Sequence, residues 1–112
     1  MANSFVNKKA DLTSNSATTL YTVPSYSTAV IKSILVSEDS GNADTITVTL
    51  TDNSDNVFSL FKTKSISANA TTELLSAPLV AQESEVIKVT AATANRLDVV
   101  LSALEIKPRD VT

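Results

Sequence analysis

The sequence lacks several of the residues on which protein chemistry most often depends. Its 112 residues include no cysteine, no histidine and no tryptophan, and Gly41 is the single glycine. Without cysteine there is no disulfide and no thiolate metal site. Without histidine the chain lacks the commonest general base and the commonest transition-metal ligand. One glycine excludes a glycine-rich phosphate loop. We therefore expect no enzyme, no catalytic residues, no metal and no cofactor.

The charge balance gives no sign of a polyanionic partner. The formal net charge is −3 and the basic residues are scattered, so we expect neither nucleic acid nor membrane as a partner, and no small-molecule substrate. No uncharged apolar run reaches the roughly 18 residues of a membrane-spanning helix. Residues 1–10 lack the apolar core of a signal peptide, so secretion by that route is not expected.

Serine and threonine are abundant instead. Together they supply 30 residues, while 43% of the chain is hydrophobic, a composition that favours folded β-structure over disorder. The clearest pattern covers residues 45–51, where Ile46, Val48 and Leu50 alternate with threonines. This period of two predicts a half-buried antiparallel strand with a threonine-lined solvent face.

Turn-forming residues divide the rest of the chain into further short strands. Strand starts recur roughly every 10–14 residues, which is typical of a β-sandwich or barrel. We predict an all-β fold, an antiparallel β-sandwich of about eight strands with a jelly-roll-like arrangement. The predicted organisation is an N-terminal arm at 1–16, a β-sandwich domain at 17–106 and a C-terminal tail at 107–112. The predicted strands cover residues 19–23, 28–37, 45–51, 57–64, 71–75, 85–91 and 96–106, and one further short edge strand is an alternative for part of the arm.

The predicted strand at 28–37 is apolar on both faces. Val30, Ile34 and Val36 fall on one face, and Ala29, Ile31 and Leu35 on the other. Such a strand is either central in a sheet or covered on its second face by another chain. The two polar ends of the sequence pose the same choice, because they either reach a neighbouring subunit or are frayed ends.

Two groups of residues admit a binding function. The loop at 52–56 offers Asp and Asn oxygens to calcium, but its spacing does not match a helix–loop–helix calcium site, and such turns are common without metal. A carbohydrate-binding module would be expected to have an aromatic platform, for example Tyr21 with Tyr26.

The order of several segments resembles that of a known group of proteins. Residues 19–24 and 29–36 form one stretch, and residues 72–80, 85–89 and 97–106 form the other. Together they resemble the small β-sandwich virion structural proteins of tailed bacteriophages, across roughly residues 18–106. The family pattern usually has glycine where this chain has Ser25 and the pair Glu83–Ser84, so the turns differ while the strand order agrees.

The resemblance implies a virion structural protein that belongs to the capsid surface or the tail. We expect a capsid-decorating (cement) protein that acts as a homo-oligomer, with a trimer suggested by the local three-fold sites of icosahedral shells, and with the major capsid protein as its partner. A tail or head–tail connector component is the alternative, and a carbohydrate-binding module is a further one. The expected interface residues are Phe5, Val6, Leu12, Ala29, Ile31, Leu35, Lys107 and Arg109.

Overall fold

The computed structural model describes residues 3–107, and these residues form nine β-strands. No helix among them is long and apolar enough to cross a membrane. The strands are β1 (Asn3–Asp11), β2 (Thr18–Thr22), β3 (Thr28–Glu38), β4 (Asp44–Thr51), β5 (Val57–Ile66), β6 (Thr71–Glu73), β7 (Leu79–Ala81), β8 (Val86–Ala91) and β9 (Leu97–Ile106).

The strand order is that of a jelly roll. One sheet has the order β1-β9-β3-β6, with β7 also paired to β3, and the second has the order β2-β8-β4-β5. All pairings are antiparallel. The chain folds back on itself about the β4–β5 hairpin, so that strands before the hairpin pair with strands after it. β3 pairs with β6 and β7, β2 with β8, and β1 with β9. A ribbon folded in this way forms the two sheets of a jelly roll, which confirms the predicted fold class.

The inner faces of the two sheets form one apolar core. Alternate residues of β3, β4, β8 and β9 point into it, as the period of two requires. Complete burial of each aliphatic side chain contributes about 1.5–3 kcal/mol. The largest fully buried side chains are Leu12, Tyr21, Val23, Ile31, Ile34, Val36, Ile46, Val48, Ile66, Ile87, Leu97 and Leu101.

A β-bulge explains why β3 is apolar at both odd and even positions. The register between β3 and β9 shifts between Ile31 and Ser33, and one extra residue reverses the facing of all that follow. Ala29 and Ile31 before the bulge, and Ile34 and Val36 after it, are therefore all fully buried. The prediction of two separate apolar faces is wrong: most of this strand's apolar residues belong to one inner face.

The predicted N-terminal arm is largely a strand of the sandwich. β1 pairs with β9 in an uninterrupted antiparallel register, from Asn3 opposite Ile106 to Asp11 opposite Asp98. Val6 and Ala10 pack against the core. The polar composition of this segment reflects an edge position, where few side chains are covered. Residues 79–81, which were predicted to be a connection, form the short strand β7.

A buried carboxylate joins two loops at one end of the sandwich. Glu38, at the end of β3, accepts hydrogen bonds from the backbone N–H groups of Ser40 (2.8 Å), Gly41 (3.0 Å) and Asn69 (3.0 Å). Burial of Glu38 opposes its ionisation, but these bonds and one from the Ser40 hydroxyl outweigh burial and lower its pKa to about 2. The ionised side chain thus connects the β3–β4 loop to the β5–β6 loop.

Candidate interaction surface

The predicted interface residues divide between core and surface. Leu12, Ala29 and Ile31 are buried by their own chain, so their assignment to an interface is wrong. For Ala29 and Ile31 the error arises from the β3 bulge, which places them on the same inner face as Ile34 and Val36. For Leu12 it arises from the continuation of the β1–β9 pairing, in which its backbone N–H donates to the Leu97 carbonyl at 3.0 Å.

The remaining predicted residues stay near or at the surface. Phe5 is 79% exposed and Leu35 is 39% exposed, while Val6 is half-buried against the core. Lys107 is exposed directly after β9, and Arg109 lies outside the described residues. Phe5 and Leu35 both lie on the outer face of the five-stranded sheet.

An apolar row crosses that outer face. In the pairing register, Phe5 of β1 lies opposite Leu104 of β9, Leu104 lies opposite Val30 of β3, and Val30 lies opposite Val80 of β7. Directly opposed side chains in antiparallel strands are about 4.5–5.5 Å apart at Cβ and contact one another. Phe5 and Val80 are exposed at the two ends of this set, and Leu104 and Val30 are half-buried between them. We call Phe5, Leu104, Val30 and Val80 the apolar row.

The far end of the same outer face is acidic. Asp11 and Asp98 are direct cross-strand partners, and Asp39 follows β3. Burial raises the pKa of Asp98 to about 6, helped by the negative charge of Asp39 and a hydrogen bond with Asp11. This side chain therefore titrates in a weakly acidic range, whereas an isolated aspartate titrates near pH 4.

The four-stranded sheet presents a different outer face. Lys88 of β8 lies opposite Thr19 of β2 and opposite Thr49 of β4, and Thr49 lies opposite Ser59 of β5. We call Thr19, Lys88, Thr49 and Ser59 the polar row. The threonine-lined face predicted for residues 45–51 is confirmed by the half-exposed Thr45, Thr47, Thr49 and Thr51.

Tyr21 and Tyr26 do not form an aromatic platform together. Tyr21 is buried in the core, and its hydroxyl donates a hydrogen bond to the Glu105 carboxylate at 2.6 Å. Burial, and then this bond, raise the pKa of Tyr21 above its ordinary value. Tyr26 is 62% exposed. The expectation of a Tyr21–Tyr26 pair is wrong because one ring is inside and the other outside.

The loop between β4 and β5 uses its oxygens to hold its own turn. The Asp52 carboxylate accepts hydrogen bonds from the backbone N–H groups of Ser54 (2.9 Å) and Asn56 (3.0 Å), which lowers its pKa. Asp55 adopts a positive φ of 64°, as Asp tolerates in turns. Within residues 3–107, no three acidic side chains are arranged to hold a metal ion.

The apolar row escaped the sequence analysis because its members come from four strands whose order the sequence does not state. One signal was present: β9 carries apolar residues at both inward and outward positions, among them the outward Val100 and Leu104. A two-sided apolar strand in a sheet with one solvent face indicates a contact surface. The bulge in β3 concealed the same signal at Val30.

Comparison with known proteins supports the fold. No protein-family model matches the sequence, and no curated protein matches it. A chain of the Bacillus endospore appendages, which form a novel family of disulfide-linked pili, is structurally similar with a TM-score of 0.58. The match covers 95% of this chain and 87% of that chain, at 10% sequence identity. At this identity the likeness is one of fold.

Proposed function

We propose that this chain is a structural protein of a tailed-bacteriophage particle, and that it decorates the head shell as an oligomer. The observation that carries the proposal is the apolar row on the outer face of the five-stranded sheet. A single exposed apolar side chain is ordinary. Here exposed Phe5 and Val80 are joined across the sheet by half-buried Leu104 and Val30, and a continuous apolar patch is a feature of protein–protein contacts.

The jelly-roll fold and the structurally similar pilus chain are both compatible with this role. Jelly rolls are used by viral capsid domains, among others, although a fold alone does not specify a function. The similar chain from Bacillus endospore appendages belongs to pili, which are assemblies. Those pili are disulfide-linked, and this chain has no cysteine, so its assembly depends on noncovalent contacts.

The first experiment locates the protein in particles. Antibodies raised against the purified chain are applied with gold label to phage particles produced from the genome that encodes it. Label over the head supports decoration. Label over the tail or neck supports the alternative, a tail or connector component. Particles that carry no label, and lack the chain by mass spectrometry, contradict both.

The second experiment tests the apolar row itself. Val80→Glu places a carboxylate in the row, and Thr49→Glu places the same group in the polar row of the other sheet. Because a buried unpaired carboxylate is costly, Val80→Glu should weaken binding to undecorated head shells by about tenfold or more, which corresponds to about 1.4 kcal/mol. Thr49→Glu should leave binding within about twofold. Equal binding of both variants in a co-sedimentation assay would contradict the proposed contact.

A further inference from the structure

The four edges of the two sheets differ in how open they are to another strand. β2 carries a register shift between Thr19 and Tyr21. The β4–β5 register shifts twice, and Thr63 of β5 has a positive φ of 49°. β6 and β7 are three residues each, with Pro78 in the segment between them. Bulges, short strands, proline and charged side chains, lysine above all, are the usual protections of a sheet edge. β1 has only the last of these, in Lys8 and Lys9. β1 alone is long and pairs along nine residues with no shift.

The hydrogen-bond pattern identifies which backbone groups β1 leaves open. Leu12 continues the β1–β9 register and donates its N–H to Leu97 at 3.0 Å, so this is a hydrogen-bonded pair. In antiparallel strands such pairs alternate with pairs that make no bonds to each other. The even-numbered residues of β1 therefore bond to β9. The backbone N–H and C=O groups of the odd-numbered residues face the other edge of β1. Among the described residues no strand pairs with that edge. The odd-numbered residues are Asn3, Phe5, Asn7, Lys9 and Asp11.

We propose that β1 pairs antiparallel with β1 of a second copy of this chain, across a two-fold axis with Asn7 opposite Asn7. This register uses the whole strand and forms about ten main-chain hydrogen bonds. It also agrees with the side chains. Phe5 faces Lys9 of the second copy, which permits a cation–π contact, and Asp11 faces Asn3. Like charges nowhere lie opposite each other, and such opposition would be destabilising.

The two-fold arrangement follows from the edges. A two-fold contact uses the same surface on both copies, so one open edge is sufficient. A three-fold ring closed by sheet edges would need β1 to meet a different edge of the next copy, and the other described edges are bulged or short. The geometry therefore favours a dimer over the trimer expected from icosahedral shells. This pairing rests on the proposed function only in that the function requires self-association.

A cysteine trap tests the register. The chain has no cysteine, so Asn7→Cys introduces a single thiol. A hydrogen-bonded antiparallel pair has Cα atoms about 5.5 Å apart, but its Cβ atoms lie at the long end of about 4.5–5.5 Å. Because a disulfide needs roughly 3.5–4.5 Å between Cβ atoms, a short bifunctional thiol cross-linker is used in place of oxidation. The cross-linker should convert most of Asn7→Cys to a covalent dimer. The control, Val57→Cys, carries its thiol on β5 at a position that is 62% exposed, and it should form little covalent dimer. Equal cross-linking of the two variants would overturn the proposal.

Proline at the same position tests the backbone contact. Asn7→Pro removes an N–H that faces the open edge and leaves every bond to β9 in place. Asn7→Thr keeps the N–H. In sedimentation equilibrium, the unaltered chain and Asn7→Thr should have twice the 11.8 kDa mass of the monomer. Asn7→Pro should have the mass of the monomer.

The two proposals fail in different ways. A monomeric or trimeric unaltered chain, or a dimeric Asn7→Pro, would overturn the edge pairing. If Asn7→Pro fails to fold by circular dichroism, the Asn7→Cys result decides alone. None of these measurements needs phage particles, so a negative result here leaves the location experiment intact, and particles without label leave the dimer intact.

Discussion

The two sheets share one core, yet the apolar row on one outer face and the polar row on the other differ in character. The polar row of the four-stranded sheet holds hydroxyl groups and one ammonium group, whereas the apolar row of the five-stranded sheet holds one aromatic and three aliphatic side chains. Folding requires apolar residues on the inner faces alone. Because the polar row crosses the four-stranded sheet without loss of the fold, the fold does not require apolar side chains in the corresponding row of the other sheet. Contact with a partner is the purpose that we propose for them.

The largest effect tests the assignment of inner and outer faces on β3. Ile31 is fully buried and Val30, its neighbour in the chain, lies half-buried in the apolar row. Ile31→Ala should lower the free energy of unfolding by about 2–5 kcal/mol because it leaves a cavity in the core. Val30→Ala should lower it by less than about 1 kcal/mol. Urea denaturation of both variants measures the difference, and similar losses would contradict the assignment of Ile31 to the inner face and of Val30 to the outer face.

The sequence predicted those elements whose pattern is local. Residues 45–51 alternate cleanly, and the observed β4 differs from the prediction by one residue at its start. The β4–β5 hairpin follows from the Asx-rich turn between two apolar runs. The jelly-roll order was predicted only as a likeness, because a pairing such as β1 with β9 joins distant parts of the chain.

The errors have two physical causes. A bulge adds one residue and reverses the facing of those that follow, and apolar residues on both sides of Lys32 hid that reversal. An edge strand buries few side chains, so β1 looked like a polar arm. The candidate site shows the same division: Phe5 and Leu35 were found as surface apolar residues, but Val80 and Leu104 join the row only through strand order.

The next effect concerns the acidic end of the outer face that carries the apolar row. Asp98 has its pKa raised to about 6 by burial, the charge of Asp39 and the hydrogen bond with Asp11. A raised carboxyl pKa stabilises the fold below about pH 4, and that stabilisation is lost as the pH rises through about 6. Asp98→Asn removes the charge, so at pH 7.5 the variant should melt about 2–4 °C higher than the unaltered chain.

The pH dependence of that difference is the critical measurement. The advantage of Asp98→Asn should shrink as the pH falls from 7 to about 4. Glu38, with a pKa lowered to about 2, changes stability in the opposite direction below about pH 4.5, and it is present in both proteins, so its contribution cancels. Asp55→Asn, in the exposed β4–β5 turn, makes the same exchange away from these three carboxyl groups and serves as the matched control. A variant that is less stable than the unaltered chain at pH 7.5 would contradict the repulsion among these three carboxyl groups.

The smallest effect on stability comes from exchanging the character of the two outer faces. Val80→Thr makes one end of the apolar row polar, and Thr49→Val makes the polar row more apolar. Both side chains keep their shape and lie outside the core, so each change should alter the free energy of unfolding by no more than about 0.5 kcal/mol.

The effects of these two substitutions on association should differ in sign. Sulfate strengthens the burial of apolar surface, so Val80→Thr should need more ammonium sulfate than the unaltered chain for half-precipitation, and Thr49→Val should need less. Val80 lies on β7, at the edge opposite β1, so the exchange leaves the proposed dimer contact unchanged. If both variants precipitated at the same salt concentration as the unaltered chain, the difference between the two rows would have no consequence for association. That result would contradict the proposal that the apolar row is a contact surface.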